Sequence, residues 1–292
     1  MANHTDWLKD LFTDMLSTIK DIQIQAVQLG LEAGYQLRSF NHVLRKASEI
    51  LQATNEDEKY IDFYIQKLRE LVKDKARANV VPQVWSAVTM FLRCPLDRWE
   101  YYAPWTQLIQ SCFNTSDAAT KHEANYAWNR YVFLCLNDGK VSPKLLSVLC
   151  QPLLAQLRRK STPKQVEESQ KFRRTVLGGV HNLFYYAFRP GTEKFPPETI
   201  WDVAVQPIIA QLIASDGARE GNSDGIMQAS RILVGLLDVK TPVVWREDRI
   251  LDVPPARADE LPSIDSKWIR KHSERIFKSV GPVLETKFLD LS

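Results

Sequence analysis

The sequence predicts an all-α fold, and three observations support that prediction. Apolar residues recur at three- and four-residue steps along 124–135, 145–157 and 176–188, as one buried face of a helix requires. Helix-start signals precede the last two stripes, at Ser142-Pro143 and at Thr162-Pro163, where Gln165 completes a capping box. No segment shows convincing strand-like alternation.

These signals predict helices over most of the chain. The segments expected to be helical are 5–19, 21–39, 41–53, 57–75, 80–93, 99–113, 120–137, 143–159, 163–188, 197–214, 222–238 and 266–288. Loops are expected at 189–197, 215–222 and 239–265, which are rich in Pro, Gly, Asp and Arg. The loop at 239–265 is long enough to be a landmark.

An internal repeat refines the fold class. Gln151–Leu157, with the sequence QPLLAQL, recurs 55 residues later as QPIIAQL in Gln206–Leu212, and a fainter copy begins at Pro104. A second helix lies between copies, so the repeating unit is a helical hairpin of about HEAT size, and a proline inside each first helix should bend that helix. We therefore predict a HEAT/armadillo-like α-solenoid of stacked antiparallel helical hairpins, a single segment over 1–292 cut from a longer array. A duplicated helical bundle would give a similar pattern.

Composition and charge exclude several classes of protein. Hydrophobic residues make up 45% of the chain and charged residues 25%, which is typical of a globular protein rather than a disordered one. The net charge is only +3, so affinity for nucleic acid must come from a local patch. The chain lacks a signal-peptide pattern and an apolar run long enough for a membrane span. The four cysteines form no C-x-x-C pair, and Cys112, Cys135 and Cys150 lie in apolar helical patterns, which predicts buried reduced thiols in an intracellular compartment.

Motifs for catalysis or cofactor binding are missing from the sequence. The five histidines show no metal-ligand spacing, and the glycines fit neither the dinucleotide fingerprint nor the Walker pattern. We therefore predict no enzyme activity, no metal and no cofactor, and we expect His181 to be a core histidine rather than a general base. The tryptophans suit base stacking or partner anchoring in principle, but the positions of Trp105, Trp128 and Trp201 favour the interiors of hairpins.

Basic residues concentrate in one stretch, from Gln156 to Arg174, which carries a local charge of +5. An antiparallel hairpin places the end of its first helix beside the start of its second, so these cations should cluster at one edge and bind DNA phosphates. The alternative is that they cap a helix C-terminus and form an ordinary solvated face. The residues proposed to bind nucleic acid are Arg158, Arg159, Lys160, Lys164, Lys171, Arg173 and Arg174. A secondary basic run around Trp268 consists of Lys267, Arg270 and Lys271, followed by Arg275 and Lys278.

Several segments together resemble the N-terminal domain of the fungal Rap-interacting factor family of telomere length regulators. The resemblance runs from about residue 20 to the C-terminus. It is carried by Asp97–Tyr102, Glu123–Arg130, Ser142–Lys160, Asn182–Pro190 and Asp265–Lys271.

The resemblance implies a nuclear, telomere- and chromatin-associated scaffold that contacts DNA, with roles in telomere length, replication timing and DNA repair. It also implies protein partners, among them a type-one phosphatase, yet the chain has no basic-x-Val-x-Phe docking pattern, since Leu134 stands where the aromatic residue should be. The alternative function is that of a protein-binding HEAT scaffold or adaptor, of the transport or phosphatase type, without nucleic-acid binding.

Overall fold

A computed structural model describes residues 4–55, 58–138, 141–158, 166–188, 195–215, 224–238, 240 and 263–289. Its helices are α1 (Trp7–Asp14), α2 (Lys20–Leu37), α3 (Asn41–Gln52), α4 (Tyr60–Lys73), α5 (Val80–Met90), α6 (Tyr102–Asn114), α7 (Ala118–Asp138), α8 (Pro143–Leu157), α9 (Val166–Phe188), α10 (Pro197–Ile200), α11 (Gln206–Ser215), α12 (Asp224–Leu237), α13 (Ser266–Lys271) and α14 (Ser273–Leu289). A π-helical turn, Trp201–Val205, joins α10 to α11. The all-α, HEAT-like fold class predicted from the sequence is confirmed.

The helices fall into two compact units, Met1–Gly139 and Lys140–Ser292. Helix α5 is the centre of the first unit, where it packs against α2, α4, α6 and α7. Nine of its residues between Val81 and Met90 are buried, as expected for a helix that is apolar on every side. The prediction that the whole chain is one repeat segment stays a prediction.

Close packing of α2 on α5 depends on a small residue at Gly34. A Cβ atom built on Gly34 would lie 2.6 Å from Met90 Cβ, whereas one built on Gly30 would meet the mobile end of Met15. We expect Gly34→Ala to destabilise the chain by about 1–3 kcal/mol, because the overlap outweighs the helix propensity gained, which is about 1 kcal/mol. Gly30→Ala should cost clearly less. Urea unfolding followed by circular dichroism measures both, and a Gly34→Ala variant as stable as wild type would contradict the packing argument.

The second unit contains the repeated heptad and stacks as the repeat predicts. Helix α8 packs against α9, and α11 packs against α12, so each copy of the heptad lies on the first helix of a hairpin. Helix α8 also packs against the π-turn and α11, which brings the two first helices side by side. Ser142 caps α8 as predicted, because its hydroxyl accepts a hydrogen bond from the Leu145 backbone N–H at 3.2 Å.

The two copies differ at their prolines. Pro152 lies inside the α-helical part of α8, whereas Pro207 directly follows the π-turn. In that turn the Gln206 backbone N–H donates to the Trp201 carbonyl, five residues back. Proline has no N–H and its ring crowds the preceding turn, so widening the helix by one residue is a way to accommodate Pro207. The sequence predicted a bend at both prolines and did not predict this turn.

Elsewhere the helix map agrees with the structure, with three local differences. The first helix, predicted over 5–19, ends at Asp14. The segment predicted as one helix over 266–288 is interrupted at His272, which separates α13 from α14. Two short strands, β1 (Thr54–Asn55) and β2 (Glu58–Lys59), pair antiparallel before α4, where a helix beginning at 57 was expected. The Thr162 capping box, the loop at 189–194 and nearly all of the loop at 239–265 lie outside the described residues.

Candidate nucleic-acid interface

The predicted basic edge starts where α8 ends. Arg158 is the residue that follows the last turn of α8, and its side chain is exposed. Its Nε donates a hydrogen bond to Gln211 Oε1 at 3.2 Å. Gln211 belongs to the second copy of the heptad and lies in the middle of α11, so Arg158 links the end of α8 to the neighbouring first helix while it stays in contact with solvent.

The other predicted residues of this edge differ in their exposure to solvent. Lys171 and Arg174 are exposed on α9, and their spacing of three residues places them on one helix face. Arg173 is half-buried, so it does not share that face. Arg159, Lys160 and Lys164 lie outside the described residues. The described part of the edge therefore offers three exposed cations, Arg158, Lys171 and Arg174.

The secondary basic patch lies on α13, whose N-terminus is capped by Asp265. The Asp265 carboxylate accepts hydrogen bonds from the backbone N–H groups of Lys267, at 2.7 Å, and Trp268, at 3.2 Å. Lys267, Arg270 and Lys271 are all exposed, and none of them pairs with a carboxylate in the part of the chain that the structure describes. Their charges are thus available to a ligand.

Two neighbouring cations differ from these three because each has a carboxylate partner. Arg275 forms an ion pair with Asp202 in the π-turn, and Lys278 Nζ lies 2.6 Å from Glu274 Oε1. The sequence grouped both with the secondary run. In the described part of the chain each lies beside a carboxylate in an exposed ion pair, unlike Lys267, Arg270 and Lys271. The sequence alone could have shown the partner of Lys278, because Glu274 lies four residues before it on the same helix, a spacing at which side chains pair.

A histidine and two tryptophans position α13. His272 Nε2 lies 3.3 Å from Glu198 Oε1, and the His272 ring stacks on Trp268 with 4.5 Å between ring centroids. Trp268 in turn lies 6.2 Å from the buried Trp201. The pKa of Glu198 is lowered chiefly by its own backbone N–H at the start of α10 and also by His272, so the carboxylate is kept ionised. These contacts hold α13, and with it the three exposed cations, against α10 and the π-turn.

Base stacking on the tryptophans of the helical hairpins is excluded by their burial. Trp85, Trp105, Trp128 and Trp201 are at most 3% exposed, which confirms that the last three fill hairpin interiors. His181 is buried as well. Cys112, Cys135 and Cys150 are buried free thiols as predicted, and burial raises the pKa of Cys112 and of Cys150 to about 12. The buried tryptophan rings are therefore not part of the site, whereas the half-buried Trp268 lies among the cations of α13.

The described residues meet neither the requirements of a metal site nor those of a membrane-spanning helix. No group of three or more His, Cys, Asp or Glu side chains there has the arrangement needed to hold a metal ion. Within the same residues, no helix combines the length and the apolar character that crossing a bilayer requires.

Comparison with known proteins places the chain in a family. The family model described as "Rap1-interacting factor 1 N terminal" matches residues 1–205, well over half of the chain. The chain belongs to this family. The resemblance inferred from the sequence is thereby confirmed.

One curated relative of the Rap1-interacting factor 1 N-terminal family matches nearly the whole chain. The telomere length regulator protein rif1 of Schizosaccharomyces pombe is 23% identical over 282 residues, which cover 96% of this chain and 19% of that protein. The chain thus spans about a fifth of the length of that relative. No solved structure matches the chain.

The family match covers one of the two candidate basic regions and not the other. Residues 1–205 include the edge from Arg158 to Arg174 and end at the last residue of the π-turn. The secondary patch on α13 lies beyond the matched region. Of the two, only the edge on α8 and α9 lies within the part of the chain that the family model describes.

Proposed function

We propose that this chain is a non-enzymatic helical scaffold that acts in telomere length regulation in the nucleus. The observation that carries the proposal is the family match over residues 1–205, together with a relative named as a telomere length regulator across 96% of the chain. A fold built of helical hairpins supports a scaffold role, because such folds offer long surfaces to other macromolecules. The roles in replication timing and DNA repair that the family implies extend the proposal to chromatin away from telomeres.

The proposed biochemical activity is contact with the DNA backbone through basic edges. Exposed Arg158, Lys171 and Arg174, with Arg159, Lys160 and Lys164 between them in the sequence, give the first edge a high local charge on a nearly neutral chain. Lys and Arg side chains on a helical scaffold reach phosphates rather than base edges. Binding should therefore show little preference for DNA sequence.

Salt dependence tests this proposal. If four cations contact phosphates, the affinity for duplex DNA should fall on the order of 100-fold between 50 and 200 mM salt, because each neutralised phosphate contributes about 0.9 to the log–log slope. Fluorescence anisotropy with two labelled duplexes of unrelated sequence measures the slope, and both duplexes should give the same value. A shallow slope, or no binding at 50 mM salt, would favour the protein-binding scaffold instead.

A further inference from the structure

The first unit contains a cavity that the proposed DNA contacts do not involve. Its volume is about 410 Å³, within the range of about 300–1,000 Å³ that ligand pockets have. One wall is a single face of α3, from Asn41 to Ser48, and the other is the segment between Leu92 and Trp99 that follows α5. The cavity thus lies between the side of one helix and one loop of the same unit.

The cavity has an apolar floor and a basic rim. Leu44, Leu92 and Leu96 line it, and the latter two are almost fully buried. Arg45 and Arg93 also line it, and no acidic residue does. The Arg45 side chain is 77% exposed, with Glu49 3.8 Å away as an outer partner. An exposed ion pair of this length contributes little to stability, so the Arg45 guanidinium can exchange Glu49 for another anion with little loss of free energy.

Hydrogen bonds hold the loop wall in place. Arg93 Nη2 donates to Asn41 Oδ1 at 2.8 Å, which ties the loop to the start of α3. The Trp99 backbone N–H donates to the Leu96 carbonyl at 2.9 Å, and the Trp99 ring packs edge-on against the buried Trp105. A wall fixed in this way is preformed, so a ligand loses little free energy to ordering it.

We propose that this cavity binds a short acidic peptide segment through one aliphatic side chain. The three leucines form a floor that suits a leucine-sized anchor, and the two guanidinium groups suit carboxylates on either side of that anchor, since arginine binds carboxylates in a bidentate manner. Nucleic acid fits less well. Trp99 is the one aromatic residue in the lining, and its ring packs against Trp105 and Tyr101, so the cavity offers no second ring on which successive bases could stack.

Three labelled peptides test the chemistry of the ligand. The probe is a fluorescein-labelled Gly-Asp-Leu-Glu-Asp-Gly peptide, titrated with the whole chain by anisotropy at 50 mM salt. A second peptide has Ser in place of Leu, and a third has Asn and Gln in place of the acids. We expect the Ser peptide and the neutral peptide each to bind at least about tenfold more weakly than the probe, because one loses the anchor and the other loses the charge pairs. Equal binding of the probe and the Ser peptide would overturn the proposal.

Variants of the chain test the location. Ser48 lines the cavity, so Ser48→Phe fills the space without a change of charge and should abolish probe binding. Arg45→Glu with Arg93→Glu should lower the affinity at least tenfold, and Arg45→Glu alone provides the test if the double variant does not fold. The matched control is Arg69→Glu with Lys75→Glu, which reverses two exposed cations of the same unit that do not line the cavity.

The outcomes separate the possible occupants. Loss of probe binding in the cavity variants and not in the control supports the proposal. Equal loss in the control would show that only bulk charge attracts the peptide, which overturns it. Displacement of the probe by an oligothymidine that itself fails to bind the cavity variants would assign the cavity to nucleic acid and also overturn it. DNA binding through Arg158 can succeed or fail independently, since Arg158 lies in the other unit.

Discussion

Replacing Arg158, Arg159, Lys160 and Lys164 with glutamate is expected to lower the affinity for duplex DNA at least 100-fold at low salt. Four phosphate contacts are lost, and the new carboxylates repel the backbone. A four-alanine variant should reduce the log–log salt slope by about 3.6 relative to wild type if all four side chains contact phosphates. These residues lie outside the apolar stripes, so both variants should fold, although each of them loses the hydrogen bond from Arg158 to Gln211. Anisotropy titrations at several salt concentrations measure both effects.

A charge-matched control separates a site from bulk charge. Lys9, Lys20, Arg69 and Lys75 are exposed residues of the first unit, and replacing them with glutamate changes the net charge by the same amount. This control should keep most of the wild-type affinity. If the folded four-glutamate variant of the basic edge binds as wild type does, the site is wrong. The same substitution at Lys267, Arg270 and Lys271 then tests α13.

Trp105→Ala is expected to destabilise the first unit by about 3–5 kcal/mol. The Trp105 side chain is fully buried, its Nε1 donates to Thr89 Oγ1 at 3.0 Å, and its backbone carbonyl accepts from Trp85 Nε1 at 2.9 Å. Removing the indole leaves a cavity beside Trp85 and removes the donor to Thr89. Chemical unfolding followed by circular dichroism at 222 nm reports the loss of helix without interference from the other tryptophans.

Two further variants provide reference values for the loss of stability in Trp105→Ala. Trp105→Phe keeps an aromatic ring but no N–H, so it should cost less than the alanine variant. Phe40→Ala removes a ring that is 44% exposed in the same unit and should change stability by less than about 1 kcal/mol. An unfolding midpoint for Trp105→Ala equal to that of Phe40→Ala would show that the indole does not organise this core.

Local pattern predicted most of the helices because most of them bury one apolar stripe. The stripe at Leu145, Leu149 and Leu153 is buried as its spacing requires, and Ser142 begins the helix as its side-chain chemistry requires. Burial of Trp105 and Trp201 followed from the same reasoning, since a large side chain on the inner face of a hairpin has nowhere else to go.

Features that depend on contacts between distant segments were not predicted. The pairing of Arg275 with Asp202 joins residues 73 positions apart, and the bond from Arg93 to Asn41 joins residues 52 positions apart. No local period encodes such pairs. The charge count at 156–174 located a basic stretch but did not show that Arg173 turns away from Lys171 and Arg174. Counting charges along a sequence does not show which face of a helix each charged side chain occupies.

The π-turn at Trp201–Val205 acts as a single-residue insertion between two halves of one helix. Relative to an unbroken α-helix, the extra residue rotates the half that precedes it by about 100° and shifts it by about 1.5 Å. That half carries Glu198, which holds His272 and with it the start of α14. Gain or loss of one codon in this turn would therefore re-aim the cations of α13 while leaving the buried stripe of Gln206–Leu212 in register. Because Ile200, Trp201 and Val205 are buried, such a change would also repack the core next to the turn, so the direction of this charged surface is coupled to the packing around Trp201.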